Sequence, residues 1–89
     1  MNVRKDKALE HYERASRLGP ENATFIKDLA DFYYVELGRM EETMELYVKV
    51  LGIDPTDIEV LLLLGTICVS LEKPDDAKFF YEWVLETEP

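Results

Sequence analysis

The sequence predicts an all-α fold, an array of antiparallel helical hairpins with five helices in one domain, 1–89. Three observations predict it. The stretch Ala23 to Pro55 reads as two amphipathic helices around a short turn, closed by Asp54-Pro55. The same pattern runs again from Ile58 to Pro89, and its second half alone precedes it, ending at Pro20. Pro20, Pro55 and Pro89 therefore stand 35 and 34 residues apart, a fixed period in the range of stacked helical repeats.

The first helix is expected over Asn2–Leu18. Ala8, Leu9, Tyr12, Ala15 and Leu18 recur at three- and four-residue spacing and form one apolar stripe. Gly19 and Pro20 stop it, glycine because it tolerates positive φ and proline because it cannot continue the ladder. Asn22 is the N-cap of the second helix, Ala23 to about Leu37, whose buried face is Ile26, Leu29, Ala30 and Tyr33. Gly38 ends it. The third helix, Arg39–Leu51, buries Met40, Met44, Tyr47, Val50 and Leu51; Gly52 closes it and Ile53 folds back under the turn.

Asp54 to Asp57 is a turn and a helix start. Thr56 and Glu59 have the spacing of a capping box, in which each side chain satisfies an orphan backbone donor. The fourth helix runs to about Leu71 with Leu61, Leu64, Gly65 and Cys68 on one face. Leu62, Leu63 and Val69 lie off that face, so this helix is apolar nearly all round and is buried on several sides or covered by a partner. Pro74 suits the first turn of the fifth helix, Asp75 and Asp76 complement its dipole, and Ala77, Tyr81 and Val84 form its inner stripe. No strand signal occurs, and every connection is short, so neighbouring helices run antiparallel.

Composition limits the partners. Ten Lys and Arg against 19 Asp and Glu give a net charge of −9. Such a chain is repelled by phosphate backbones and anionic lipid, which argues against nucleic acid and membrane surfaces. A hydrophobic fraction of 47% is too high for a disordered tail. The longest apolar run, Ile58 to Leu71, is interrupted by Glu59, Gly65, Thr66 and Ser70 and falls short of a membrane span. The charged N-terminus lacks a signal-peptide core, and the one cysteine, Cys68, cannot form an internal disulfide, so a cytoplasmic location is expected.

These residues resemble the tetratricopeptide repeat, a 34-residue helix–turn–helix family. In that family the first helix carries a large apolar residue, then Leu, a small residue and Tyr. The second carries Ala, an aromatic and a small residue, and Pro closes the unit. In the last unit, 57–89, these fall on Leu61, Leu64, Gly65, Cys68, Ala77, Tyr81, Val84 and Pro89. In the middle unit, 23–55, they fall on Ile26, Leu29, Ala30, Tyr33, Thr43, Tyr47, Val50 and Pro55, with one extra residue before Gly38. The segment 2–18 supplies Ala8, Tyr12 and Ala15, the second helix of a partial unit. The resemblance implies an α–α superhelix of about two and a half units. Cys68 replaces Tyr, Thr43 replaces Ala, and no Trp stands at the large apolar position. The small residues have a packing role: Gly65 opposite Ala77, and Ala30 opposite Thr43, let the helices of a unit approach. The chain begins half-way through a unit and has no helix after Pro89. A fragment of a longer protein, or ends covered by self-association, is the expectation.

The resemblance also implies a concave groove lined by first helices. Carried over, its residues are Thr24, Lys27, Asp28, Asp31, Tyr34 and Val35 from the middle unit, and Glu59, Leu62, Leu63, Thr66, Val69 and Ser70 from the last. An apolar strip of Tyr34, Leu62, Leu63 and Val69 bordered by Asp28, Asp31 and Glu59 suits an apolar, basic peptide or helix. Alternatively, these side chains face neighbouring repeats. One subfamily grips the carboxylate of chaperone tails with Lys, Asn and Arg; here Lys27 matches, but Asp31 and Leu63 replace its asparagines, so that activity is not expected.

Phe79, Phe80 and Trp83 spread round the last helix and cannot all share the face of Tyr81. They suit a homodimer interface, a covering helix of a parent chain, or partial burial. His11 has no partner at metal-ligand spacing, and Cys68 reads as a buried small hydrophobe. The acid pairs Glu41-Glu42 and Asp75-Asp76 lie in helix first turns, and no phosphate loop or nucleophile elbow occurs. The expectation is a non-enzymatic protein-interaction scaffold with no cofactor or metal. A self-associating structural module, through the aromatic last helix, is the alternative.

Overall fold

Four of the five described helices begin at a capping side chain or at a proline. In the computed structural model, which describes residues 2–88, Asn2 accepts from the Lys5 amide at 2.8 Å and opens α1, Val3–Leu18. Asn22 accepts from the Phe25 amide at 3.1 Å and opens α2, Ala23–Phe32, which continues as a π-helical turn over Tyr33–Leu37. α3 is Met40–Ile53. Asp57 accepts from the Val60 amide at 3.1 Å and opens α4, Ile58–Ser70, and Pro74 starts α5, Pro74–Thr87. No strand occurs among the described residues.

Successive helices pack as a chain of neighbours, α1 on α2, α2 on α3, α3 on α4 and, most extensively, α4 on α5. This gives an elongated body of 41 × 27 × 15 Å. The core lies in the middle of the array. Ile26, Leu29 and Ala30 of α2, Tyr47, Val50 and Leu51 of α3, Val60, Leu61, Leu64, Ile67 and Cys68 of α4, and Ala77 and Val84 of α5 are buried. The near-continuous apolar character of α4 reflects this central place, with neighbours on two sides. Thr43 is fully buried and its hydroxyl donates to the Arg39 carbonyl at 2.7 Å.

The extra residue of the middle unit is absorbed as the π turn. A π turn inserts one residue into an α-helix, and Tyr33–Leu37 is where the repeat period stretches to 35. Both the Gly38 and Arg39 amides donate back to the Tyr33 carbonyl. Gly38 closes the turn at φ 64°, where only glycine is unstrained. The same exit after α4 has no glycine. Glu72 takes φ 57°, while its amide reaches the Val69 carbonyl and the Lys73 amide the Cys68 carbonyl.

Several expected details differ. Leu18 is 80% exposed, and no residue of α1 is fully buried. Tyr33, at the start of the π turn, is half-buried, with the Arg39 guanidinium 5.8 Å from its ring centroid. Gly19 caps α1 at negative φ; its use is room, since an added Cβ would meet the Phe25 ring at 2.8 Å. α3 runs through Gly52 to Ile53, held by the Asp54 amide on the Val50 carbonyl at 2.7 Å, so Ile53 is exposed on the last turn. Met40 and Met44 are half-buried against the core. The Thr56–Glu59 capping box does not form: Asp54 takes both the amide and the hydroxyl of Thr56, and Asp57 caps α4 instead. Tyr81 is 37% exposed, and its ring, not Ala77, is what lies closest over Gly65.

Candidate functional site

The twelve groove residues divide into side chains that hold the array together and side chains that face outward. Lys27 of α2 donates to Asp57 Oδ2 at 2.9 Å and lies 3.8 Å from Glu59, so it ties the middle unit to the start of the last one. The Asp57 hydrogen bond holds the Lys27 ammonium above its ordinary range, against the opposing effect of burial. Asp31 accepts a hydrogen bond from the phenol of Tyr47, which is 1% exposed. Burial first, and then this bond and the Asp31 charge, push the Tyr47 phenol far above its ordinary value of 10.0. Tyr34 and Leu63 are half-buried against the core.

The remainder is accessible. Thr24, Asp28 and Val35 are exposed on α2 and the π turn; Glu59, Leu62, Thr66, Val69 and Ser70 are exposed on α4. Leu62 and Val69 are 44% and 58% exposed, large apolar side chains one above the other along α4. Thr66 and Ser70 between them turn their hydroxyls onto the Leu62 and Thr66 carbonyls, which leaves the strip less polar than its composition.

At the α1 end the structure gathers Asp28, Asp31 and Val35 with Tyr12, Phe32 and Glu36 round an open hollow of about 250 Å³. Tyr12 and Phe32 form its aromatic wall, with centroids 5.4 Å apart. The three carboxylates make it acidic. Lys5 of α1 lies 3.6 Å from Glu36 and is partly exposed, so it offsets one of them weakly. Tyr12, Phe32 and Glu36 escape the sequence reading. Tyr12 carries the stripe of α1, and the π turn sets the direction of Glu36, which regular helical spacing does not anticipate.

The aromatics of α5 are partly absorbed by the fold. Phe80 and Trp83 pack on the core with near-parallel rings, and the Trp83 indole donates to the Pro55 carbonyl at 3.0 Å. Phe79 stays 57% exposed. Cys68 is buried, and burial raises its thiol pKa. Among the described residues no group of His, Cys, Asp and Glu could hold a metal ion. No described helix is long and apolar enough to cross a membrane.

Residues 4–57 match the family described as YpiA-like, C-terminal tetratricopeptide repeats, and residues 58–89 match the tetratricopeptide repeat itself. The chain belongs to the tetratricopeptide-repeat family. Its helical hairpins are the repeats, and the π turn marks the one unit longer than the family period. Repeats of this family serve in general as protein-interaction scaffolds. No curated protein sequence matches the chain significantly.

Among solved structures, the crystal structure of MamA superposes with a TM-score of 0.86 at 24% identity, over 96% of this chain and 49% of that one. The chain thus spans about half of MamA's length. The second tetratricopeptide domain of Spaghetti (RPAP3), bound to the HSP90 peptide SRMEEVD, superposes with a TM-score of 0.79 at 24% identity, over 97% of this chain and 79% of that one. At these identities the likeness is one of fold.

Proposed function

We propose that this tetratricopeptide-repeat chain is a non-enzymatic module that binds a basic, apolar peptide or helix across the α2 and α4 face. The observation that carries this reading is the hollow of Asp28, Asp31 and Glu36 over the Tyr12–Phe32 wall. It receives a Lys or Arg side chain, whose methylenes lie on the aromatic rings while its charge meets the carboxylates. The exposed Leu62 and Val69 of α4 take the apolar side chains of the same ligand.

The RPAP3 domain binds SRMEEVD, a peptide with more acidic than basic residues. The face described here has the wrong sign for such a ligand. Its one lysine at the clamp position, Lys27, is already engaged by Asp57 and Glu59. The likeness to RPAP3 supports peptide binding as a class of activity and not this ligand. Self-association through α5 is the weaker reading, because Phe80 and Trp83 already pack on their own core.

The test is fluorescence anisotropy with a labelled amphipathic Leu/Lys peptide of about 14 residues. Asp28 is the residue to change, since it is exposed, whereas Asp31 also anchors Tyr47. Asp28→Lys should weaken binding about tenfold, and a Leu/Glu peptide should not bind. Equal affinity of wild type and Asp28→Lys would remove the assignment.

A further inference from the structure

A second binding surface lies in the other helix layer. α3 and α5 flank an apolar cleft of about 340 Å³ lined by Val48, Leu51, Gly52, Phe79, Phe80 and Trp83. Its floor is open: a Cβ built on Gly52 meets nothing within 4 Å. Val48 and Phe79 on its rim are 50% and 57% exposed. Beside it, Phe79, Glu82, Trp83 and Glu86 line a second hollow of about 300 Å³. These four recur at helical spacing and form one stripe along α5, with the two carboxylates one turn apart. Phe79 and Trp83 border both hollows. Their rings, 5.8 Å apart and edge-to-face, are the ridge between an apolar socket and an acidic one.

We propose that the α3–α5 cleft is a docking site for an extended peptide segment that places a large aliphatic side chain against Gly52 and an Arg or Lys two residues away between Glu82 and Glu86.

Charge and spacing select this occupant. The second hollow offers a cation two carboxylates and two aromatic rings, the combination that holds a guanidinium by ion pairing and by its face. Lys78 lies 3.7 Å from Glu82, but that pair is exposed and yields to a better-placed cation. Alternate side chains of an extended strand point the same way and stand about 7 Å apart, and the two hollows adjoin, with Phe79 and Trp83 as their shared wall. The site does not depend on the α2–α4 reading, because the two share no residue.

The chain contains a single tryptophan, Trp83, and it borders both hollows, so its emission reports occupancy directly. The probe is the synthetic peptide acetyl-GSGLSRGSG-amide, with GSGSSRGSG and GSGLSEGSG as controls. The first should shift the Trp83 emission to the blue in a saturable manner, and each control should bind at least about tenfold more weakly. Gly52→Leu fills the socket with a better helix former at an unstrained position, so it folds while affinity falls about tenfold or more. Glu82→Lys with Glu86→Lys should cause a loss of similar size. No shift with the first peptide, equal shifts with all three, or unchanged affinity in Gly52→Leu would overturn the proposal. So would a dimer in light scattering that Gly52→Leu dissociates, since a second copy would then fill the cleft.

Discussion

The ring of Tyr81 occupies the space that a side chain on Gly65 would need. A Cβ built on Gly65 falls 2.5 Å from Tyr81 Cε1 and 2.6 Å from Cζ. Glycine costs a helix up to about 1 kcal/mol relative to alanine, and α4 carries that cost so that α5 can lie close. Gly65→Ala must therefore push the ring outward or part the helices. The expected result is a net loss of about 1–2 kcal/mol in urea unfolding despite the better helix propensity. In a Tyr81→Ala background the same change should cost nothing or stabilise. Equal effects in both backgrounds would show that the two residues are not coupled.

Glu72 sits in the left-handed region at φ 57°, at the exit that glycine occupies after the π turn. Left-handed backbone costs a residue with a Cβ about 1–2 kcal/mol, of which glycine's extra unfolded-state freedom returns a part. Glu72→Gly should raise stability by about 0.5–1 kcal/mol, a rise in Tm of a few degrees for a chain of this size. Differential scanning calorimetry decides it; a lower Tm would mean that the side chain of Glu72 contributes more than the strain removes.

Alkaline pH should loosen the middle unit. Tyr47 and Lys27 both have pKa values raised in the fold, from ordinary values of 10.0 and 10.5. The folded state favours their protonated forms, so their contribution is complete below those ordinary values. It is lost as pH rises through the higher folded values. Half-buried Tyr33 adds a change of the same sign, chiefly from burial. Stability followed by chemical denaturation should fall above about pH 10. Tyr47→Phe should lower stability by about 1.5–3 kcal/mol at neutral pH, because it removes a hydrogen bond to the Asp31 carboxylate. It should also flatten the alkaline slope. An unchanged slope would place the titration elsewhere.

How much of this was legible in the sequence follows from which features are periodic. The signals at Asn22 and Pro74 open helices as their chemistry requires, whereas Asn2, read as the first helical residue, caps α1 from outside. Residues at helical spacing on α2 and α4, such as Ile26, Leu29, Leu61 and Leu64, are buried as expected. The exceptions lie where periodicity breaks or where a choice between equivalent partners is made. Thr56 and Asp57 are both competent caps, and Asp54 decides between them by engaging Thr56. The proposed site was only half legible. Lys27 and Asp31 read as free charges in one dimension, but their partners Asp57 and Tyr47 stand 30 and 16 residues away.

The π turn offers a direct test of the one-residue insertion. Deleting Val35, which is 75% exposed, should let Tyr34–Leu37 resume regular α-helix while Gly38 keeps its cap. The variant should retain its helical circular dichroism and unfold cooperatively, within about 1 kcal/mol of the wild type. It should also open the acidic hollow, because Val35 is one of its walls. An unfolded variant would mean that the extra residue is needed by the core and not by the surface.

The central claim is that the α2–α4 face receives the ligand, and amide shift mapping by NMR tests it most directly. On titration with the amphipathic Leu/Lys peptide, the amides of Asp28, Val35, Leu62, Thr66 and Val69 should move together along one saturable curve, and Asp28→Lys should move that curve to higher concentration. If those amides stay in place while the peptide binds, the ligand lies elsewhere on the chain and the assignment of this face is wrong.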